Sequence, residues 1–304
     1  MTAAHTTAVP VALDRKPLDE EIDVYGLTHQ GKVRTENQDH FLICALRKQM
    51  VVHRTSLPET DHLMAGPERL AFLAMVADGV GGGAKGAEAS RIALEAVTQY
   101  VSGSMRCYYA AGSRDDRAFS EALQEGALQS HAELLRRGEE SPDYQGMATT
   151  LTLFLGVWPR AYLLQVGDSR CYLLRRGELT QITRDQTMAQ ELIDLGVMTR
   201  ADASGSRLEH TLSSSIGGRQ TAPVVTGLDM TWGHVVLLCS DGLTNHVSDE
   251  RIRERLRSMT SAKQACDDLL QEALEGGGSD NITIIVGRAL ASENQQSKPS
   301  VGAV

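Results

Sequence analysis

Five aspartates in this sequence stand where short apolar segments begin or end, and four of them are beside Gly, Ser or Asn. They are Asp39, Asp78, Asp168, Asp241 and Asp280. A single aspartate in such a place usually forms a turn by accepting a hydrogen bond from the nearby backbone. Five such aspartates indicate a binding site rather than five separate turns, because strand ends in layered folds gather at common edges, where binding sites form. The pattern therefore favours a fold in which strands bring several carboxylates to one edge.

The segments around these aspartates alternate between strands and helices. Short apolar runs rich in branched side chains predict strands over residues 70–77, 150–157, 161–166, 235–239 and 282–287. Apolar residues at three- and four-residue spacing predict helices over 87–102, 117–137 and 261–275. Only three residues separate 161–166 from 170–175, too few for a parallel crossover, so we expect these strands to form an antiparallel hairpin. The predicted architecture is an α+β domain in which helices cover antiparallel sheets.

Charge limits the partners of this chain. Its 304 residues include 39 acidic and 30 basic side chains, for a formal net charge of −9. This balance disfavours nucleic acid and anionic membranes as partners, because both require a basic face.

Two like charges about 4 Å apart repel by about 4 kcal/mol at an effective dielectric of about 20, so converging carboxylates must be protonated or neutralised by a divalent metal. Ligands that are all carboxylate, carbonyl or water suit magnesium or manganese better than zinc or copper.

The cysteines and the N-terminus indicate the compartment. Five cysteines are scattered without a Cys-x-x-Cys pair, which is typical of free thiols in a reducing cytosol and disfavours disulfides or a thiolate zinc site. The N-terminus does not resemble a signal peptide, and no apolar run approaches the length of a membrane span. We expect a cytoplasmic protein without membrane insertion.

A glycine-rich stretch at residues 81–86 offers a second interpretation. It matches G-x-G-x-x-G between a predicted strand and a predicted helix, the context of a dinucleotide-binding turn. However, no second parallel strand ending in a ribose-binding acid follows promptly, and Asp78 would repel a pyrophosphate. A Walker loop is excluded because Lys85 is neither preceded by Gly nor followed by Ser or Thr. A dinucleotide-binding enzyme is therefore the less favoured hypothesis.

Six short motifs occur in an order that resembles one enzyme family. In chain order they are Gly31-x-x-Arg34-x-x-Asn37-Gln38-Asp39, Asp78-Gly79-x-Gly81-Gly82, Gly146-x-x-Thr149-Thr150, Gly167-Asp168-Ser169-Arg170, Ser240-Asp241-Gly242-Leu243 and Asp280-Asn281-x-Thr283. Each is weak alone, but the set is similar to the metal-dependent serine/threonine protein phosphatases of the type 2C (PPM) family, in its bacterial form. The resemblance covers about residues 22–289. It implies a four-layer αββα sandwich of two antiparallel sheets flanked by helices, with a dinuclear magnesium or manganese site at one edge.

The resemblance also assigns metal ligands. It makes Asp78 the carboxylate that bridges both ions, with the Gly79 carbonyl binding one of them. Asp241 and Asp280 would bind the other ion directly. Asp168 resembles the acid that, together with Asp241, holds a third and weaker metal in bacterial members. The implied cofactor is two manganese or magnesium ions per chain, with this further position for a third.

Two more residues complete the implied site. Asp39 would act through water bound to a metal, and Arg34 would grip the substrate phosphate, which its planar guanidinium can do bidentately. In the implied reaction, a water activated by the two metals attacks phosphorus in line with the leaving Ser or Thr oxygen. The expected activity is hydrolysis of phosphoserine and phosphothreonine in proteins, without a covalent enzyme intermediate.

Some positions depart from the family pattern. Gln38 replaces the acid usually found before Asp39, and Val80 and Gly83 stand where many members carry histidine, so the general acid for the leaving group is not identified. Residues 183–218 correspond to the variable flap beside the site, whose composition suits a mobile, substrate-selecting element. Residues 46–69 form an insertion that we expect to be a surface hairpin loop.

The resulting organisation is one catalytic domain over residues 22–290 between flexible tails at 1–21 and 291–304. Its expected partners are phosphorylated proteins, the substrates of a Ser/Thr kinase, and we expect the chain to be a monomer. The alternative is a catalytically weak regulatory module that binds phosphoproteins without turnover. That alternative is disfavoured by the presence together of Asp78, Asp241, Asp280 and Arg34.

Overall fold

A computed structural model of the chain describes residues 15–48, 68–81, 84–104 and 116–290. The first 14 residues of the predicted N-terminal tail and the predicted C-terminal tail at 291–304 lie outside the described residues. So do residues 49–67, which make up most of the predicted 46–69 insertion, and Gly82, Gly83 and Cys107. The predictions made for those parts therefore stay predictions.

Ten strands form two five-stranded antiparallel sheets. In spatial order, the first sheet contains β1 (Ile22–His29), β12 (Ile282–Ala289), β11 (Val235–Cys239), β8 (Arg170–Arg175) and β9 (Glu178–Gln181). The second contains β10 (Val224–Asp229), β7 (Arg160–Val166), β6 (Leu151–Val157), β3 (Glu68–Ala77) and β2 (His40–Lys48). A separate short pair is made by β4 (Gly79–Val80) and β5 (Ala148–Thr149). The five predicted apolar strands are confirmed as β3, β6, β7, β11 and β12.

Seven α-helices are present in the described part of the chain. They are α1 (Ala84–Ser104), α2 (Asp116–Glu140), α3 (Met188–Asp194), α4 (Arg200–Ala203), α5 (Asp241–Thr244), α6 (Asp249–Ser258) and α7 (Ala262–Glu275). Short 3-10 helices occur at Asp19–Glu21 and Pro142–Tyr144. The three predicted helices are confirmed as α1, α2 and α7. None of the described helices combines the length and the apolar character that crossing a membrane requires.

The helices and sheets form four layers with three apolar interfaces. Helices α1 and α2 pack on the second sheet in an apolar cluster that includes Val97, Phe119 and Leu153. Helices α6 and α7 pack on the first sheet in a cluster that includes Leu269 and Ile284. Between the sheets lies a third cluster that includes Ala74, Phe154, Leu163, Leu238 and Ile285. Because side chains alternate between the two faces of a strand, each sheet packs against helices with one face and against the other sheet with the opposite face. The predicted αββα sandwich is confirmed.

The link between β7 and β8 differs from the prediction. These strands do not form a hairpin: β7 pairs with β6 and β10, whereas β8 pairs with β11 and β9. The three-residue turn instead carries the chain from one sheet to the other. Gly167, with φ of +100°, allows the sharp change of direction, and Ser169 Oγ lies 2.7 Å from Oγ1 of Thr150, the residue just before β6 of the second sheet. The turn thereby places Asp168 at the gap between the sheets.

Candidate active site

A cavity of about 1020 Å³ opens at the edge where these strand ends meet. Its lining includes six of the seven residues that the sequence singled out: Arg34, Asp78, Gly79, Asp168, Asp241 and Asp280. The seventh, Asp39, lies beneath the cavity and is only 3% exposed. All seven predicted residues are thus brought to one edge of the sandwich.

Asp39 precedes β2 and is held by hydroxyl groups of the opposite sheet. Its Oδ2 accepts hydrogen bonds from Ser240 Oγ at 2.8 Å and from Thr283 Oγ1 at 2.7 Å. Its Oδ1 is buried and has no hydrogen-bond partner in the described part of the chain. Burial raises the pKa of Asp39 to about 7, although the two hydroxyl groups oppose that rise. One oxygen of this carboxylate is therefore engaged, and the other has no partner that compensates its burial.

Asp78 and Gly79 are fixed by the short β4–β5 pair. The Asp78 carbonyl accepts hydrogen bonds from Thr150 N at 2.9 Å and from Thr149 Oγ1 at 2.8 Å. The Asp78 amide donates to Thr150 Oγ1 at 3.0 Å. At Gly79 there is no room for a side chain, because a Cβ would overlap the backbone carbonyl of Gly86. The start of α1 can therefore approach this turn only because residue 79 is glycine.

Asp241 and Asp280 come from neighbouring strands of the first sheet. Asp241 follows β11 and begins α5; its Oδ2 accepts from Asn245 Nδ2 at 3.1 Å, while its buried Oδ1 has no partner among the described residues. Asp280 precedes β12, and both of its oxygens are engaged. Oδ1 accepts from the Asn281 amide at 2.8 Å, and Oδ2 accepts from Arg34 Nη2 at 2.6 Å.

Arg34 lies at the mouth of the cavity on the loop between β1 and β2. Asn281 fixes this loop: its Nδ2 donates to the carbonyls of Gln30 and Glu36, each at 2.9 Å, and its Oδ1 accepts from the Gln38 amide at 2.8 Å. The ion pair with Asp280 raises the pKa of Arg34, and the charges of Asp241 and Asp78 add to the effect. The guanidinium is therefore a permanent positive charge facing the carboxylates.

Four of the aspartates have raised pKa values, and desolvation is the largest cause in each. They are Asp39, Asp78, Asp168 and Asp241. For Asp78 the charges of the other four aspartates raise the pKa further. Among the described residues, no three His, Cys, Asp or Glu side chains already form a set of ligands around one point. Like charges that no cation offsets repel one another, which accounts for the separation of these carboxylates.

A second, polar cavity of about 450 Å³ adjoins the first and shares Asp168, His210, Asp241 and Asn245 with it. Its outer wall comes from the predicted flap, residues 183–218, which contains α3 and α4. The flap is tied to the body by an antiparallel bridge between Thr149 and Ile216, and a second bridge, between Thr187 and Leu212, joins two parts of the flap itself. His210, which was not among the predicted site residues, therefore faces the carboxylates from the flap.

The sequence did not identify several residues that hold the aspartates in position. Ser240, Thr283, Thr150 and Asn281 touch the aspartates or fix their backbone, and each lies inside one of the six motifs. Their position beside an aspartate was the available signal, but the contacts join residues far apart in the chain. The dinucleotide alternative finds no support, because every strand pairing in the described part of the chain is antiparallel.

The chain is similar to known proteins over most of its length. Residues 52–276 match the family model described as Protein phosphatase 2C. The serine/threonine protein phosphatase PstP of Mycobacterium tuberculosis is 36% identical over 242 residues, which are 79% of this chain and 44% of PstP. The serine/threonine phosphatase stp of Listeria monocytogenes is 29% identical over 215 residues, or 70% of this chain and 83% of stp. This chain therefore spans less than half the length of its mycobacterial relative.

Solved structures share the fold. The crystal structure of M. tuberculosis PstP/Ppp superposes with a TM-score of 0.71 and 30% identity, covering 89% of this chain and 99% of that one. The PstP catalytic domain in complex with two manganese ions superposes with a TM-score of 0.67 and 31% identity, covering 89% and 99%. The αββα sandwich is thus shared with a protein that binds two manganese ions.

Proposed function

Because the chain belongs to the protein phosphatase 2C family, we propose that it hydrolyses phosphoserine and phosphothreonine in proteins, using two bound manganese or magnesium ions. The observation that carries the proposal is the meeting of five strand-end aspartates and Arg34 at one cavity. Such a cavity suits a phosphate ester only when cations offset the carboxylates, since bare carboxylates would repel it.

The residues present fit divalent ions with oxygen ligands. All candidate donors are carboxylates or a backbone carbonyl, the set that magnesium and manganese prefer. Asp39 Oδ1 and Asp241 Oδ1 are buried polar atoms without a hydrogen-bond partner in the described part of the chain. A buried acceptor left unpaired is costly, and a cation at Asp241 together with a water at Asp39 would remove that cost. The two unpartnered oxygens thus support the proposal from the structure itself.

We assign the ligands accordingly. Asp78 would bridge the two ions with help from the Gly79 carbonyl, and Asp241 and Asp280 would hold the second ion. Asp168, which adjoins Asp241 in the polar cavity, would contribute to a third and weaker position. Bound ions of this kind supply positive charge at the phosphoryl oxygens and lower the pKa of a nearby water, which attacks phosphorus in line with the leaving oxygen.

Asp39 is better suited to orient a water molecule than to bind a metal ion directly. Its Oδ2 is occupied by Ser240 and Thr283, which fixes the plane of the carboxylate and leaves Oδ1 directed elsewhere. A carboxylate oxygen held in this way can accept a hydrogen bond from a water and keep it in position. This is the role that we propose for Asp39.

Arg34 would bind the substrate phosphate. The guanidinium lies at the mouth of the cavity, and its side chain is 57% exposed, so it is accessible to a phosphoprotein. Its planar fork can offer two parallel hydrogen bonds to phosphate oxygens. Binding of a cation by Asp280 would weaken the present ion pair and free the guanidinium for the phosphate.

The remaining expectations concern the partners and the chain as a whole. We propose that residues 22–290 act as one catalytic domain on proteins phosphorylated by a Ser/Thr kinase, and that the chain works as a cytoplasmic monomer. The flap at 183–218 forms one wall of the polar cavity beside Asp168 and Asp241. It is therefore the segment best placed to contact substrate residues that flank the phosphate.

The test is phosphate release from a phosphothreonine peptide and from p-nitrophenyl phosphate, with manganese and with chelator. We expect chelator to abolish the activity and excess manganese to restore it. Asp241→Asn should lose activity while remaining folded, whereas Asp143→Asn, which changes an exposed aspartate of a 3-10 helix, should keep it. If the wild-type chain binds the phosphopeptide but releases no phosphate with manganese, it is instead the phosphoprotein-binding module.

A further inference from the structure

A separate cavity lies between the two sheets at the end of the sandwich opposite the aspartates. Its volume is about 110 Å³, and its inner walls include Val24, Ala74, Phe154, Val236, Leu238 and Ile285. Arg69 lines it near the start of β3, whereas Asp78 follows the end of that strand. Arg288 lines it near the end of β12, whereas Asp280 precedes that strand. The two cavities therefore occupy opposite ends of the same strands.

Two glycines leave this space open. Gly156 on β6 lies two residues after Phe154, and Gly287 on β12 lies two residues after Ile285. Each glycine therefore faces the layer between the sheets, as the Phe154 and Ile285 side chains do. A Cβ at Gly156 would lie 3.3 Å from the Phe154 ring, and a Cβ at Gly287 would lie 3.4 Å from Val24 Cγ2. Neither glycine has a positive φ. The backbone therefore does not require glycine at these positions, and small side chains would fit with little adjustment.

Basic side chains line the mouth of this cavity. They are Lys16, Arg69, Arg160 and Arg288, and no acidic residue lines the cavity in the described part of the chain. The three arginines are each paired with an aspartate: Arg69 with Asp19, Arg160 with Asp116 and Asp229, and Arg288 with Asp23. The mouth thus presents firmly held guanidinium groups around an apolar interior.

Lys16 is the exception among these cations. Its ammonium donates a hydrogen bond to the Arg69 carbonyl, and it forms no ion pair within the part of the chain that the structure describes. Burial and the charge of Arg69 lower its pKa, because both disfavour the charged form, and the charges of Glu68 and Asp19 oppose this shift only in part. A partly buried ammonium beside an apolar cavity, without a carboxylate in contact, is a suitable partner for an anionic group.

We propose that this cavity binds a small single-chain carboxylic acid, with the end of its alkyl chain between the sheets, the rest of the chain across the open mouth and its carboxylate at Lys16. The apolar walls account for the chain, since apolar cavities in proteins stay dry and accept apolar molecules of matching size. The positive charge of Lys16 at the mouth favours an anionic head group. A positively charged amine in the same place would be repelled by Lys16 and Arg69. The site is independent of the proposed phosphatase activity.

The test is titration calorimetry of the full chain with octanoate below its micelle concentration. Octylammonium has the same alkyl chain with the opposite charge, and acetate has the same head group without the chain. We expect one octanoate per chain, with octylammonium bound at least about ten-fold more weakly, a difference of about 1.4 kcal/mol, and no binding of acetate. Equal binding of octanoate and octylammonium, or no binding of octanoate, would overturn the proposal.

Variants identify the site within the chain. Gly287→Leu and Gly156→Leu each fill the cavity and should abolish octanoate binding, while thermal melting shows whether each variant is folded. Lys16→Met keeps the apolar contacts and should remove the preference for octanoate over octylammonium, whereas Lys263→Met, at an exposed lysine of α7, should keep it. Unchanged octanoate binding in a folded cavity-filling variant, or an unchanged preference in Lys16→Met, would place the ligand elsewhere and refute the assignment.

Discussion

The Nη2 atom of Arg34 lies 2.6 Å from Oδ2 of Asp280, although 246 positions separate the two residues in the chain. The residue that we propose as the phosphate ligand is therefore paired with a residue that we propose as a metal ligand. A cation bound by Asp280 competes directly with Arg34 for the carboxylate, and the freed guanidinium can then bind phosphate. Metal binding and phosphate binding are thereby linked through a single ion pair.

Arg34→Ala should lower kcat/KM for a phosphothreonine peptide by about ten- to hundred-fold, since hydrogen bonds to charged groups contribute about 1.5–3 kcal/mol. Manganese should bind this variant as tightly as the wild type or more tightly, because Asp280 loses a competing partner. Steady-state kinetics and a manganese titration measure the two effects. Arg257→Ala, at an exposed arginine of α6, is the matched control and should change neither. A variant with weakened manganese binding would contradict the competition between Arg34 and the ion.

Removal of metal should destabilise the wild type, because five carboxylates then lie at one edge with only the Arg34 guanidinium to offset them. In chelator, Asp78→Asn should melt at the same temperature as the wild type or higher, since it deletes the carboxylate whose pKa is raised by the other four aspartates. With manganese at about 100 times its Kd, the wild type should gain about 2.7 kcal/mol for each bound ion, and one ion alone corresponds to about 5–10 °C. The variant should gain much less.

Thermal melting of both proteins, with and without manganese, gives the four values that this comparison needs. Asp143→Asn is the control for loss of one negative charge and should behave as the wild type in both conditions. A lower melting temperature for Asp78→Asn than for the wild type in chelator would show that Asp78 stabilises the metal-free fold, contrary to the electrostatic argument.

Thr283→Val should destabilise the protein by about 1–3 kcal/mol, because Asp39 Oδ2 would lose one of its two hydroxyl partners in a buried setting. It should also weaken manganese binding, since the Asp39 carboxylate would no longer be fixed in orientation. Urea unfolding measures the first effect and a manganese titration measures the second. Thr180→Val, at an exposed threonine of β9, should leave both unchanged. A variant that is destabilised but binds manganese normally would limit Thr283 to a structural role.

The sequence predicted the elements and the residue types of the site better than their contacts. Periodicity identified α1, α2 and α7, and the apolar runs identified the central strands, since both patterns are local. The sheet-to-sheet step between β7 and β8 was not predicted, because a three-residue link is equally compatible with a hairpin. The contacts of Ser240 and Thr283 with Asp39 were also not predictable, since they join residues 201 and 244 positions apart.

Gly79→Ala should be among the most damaging small substitutions in this chain. Its methyl group would overlap the carbonyl of Gly86 and crowd that of Gln38, so the Asp78 turn or the start of α1 must shift. We expect a loss of about 1–3 kcal/mol in the free energy of unfolding, the usual cost of overpacking, together with loss of manganese binding. Gly103→Ala on α1 is the matched control: a Cβ there meets no atom within 4 Å, and alanine favours the helix by about 0.5–1 kcal/mol. Urea unfolding of both variants measures the change in the free energy of unfolding, and manganese titration measures the change in metal binding. Normal manganese binding in Gly79→Ala would show that this turn tolerates displacement and would count against the Gly79 carbonyl as a ligand.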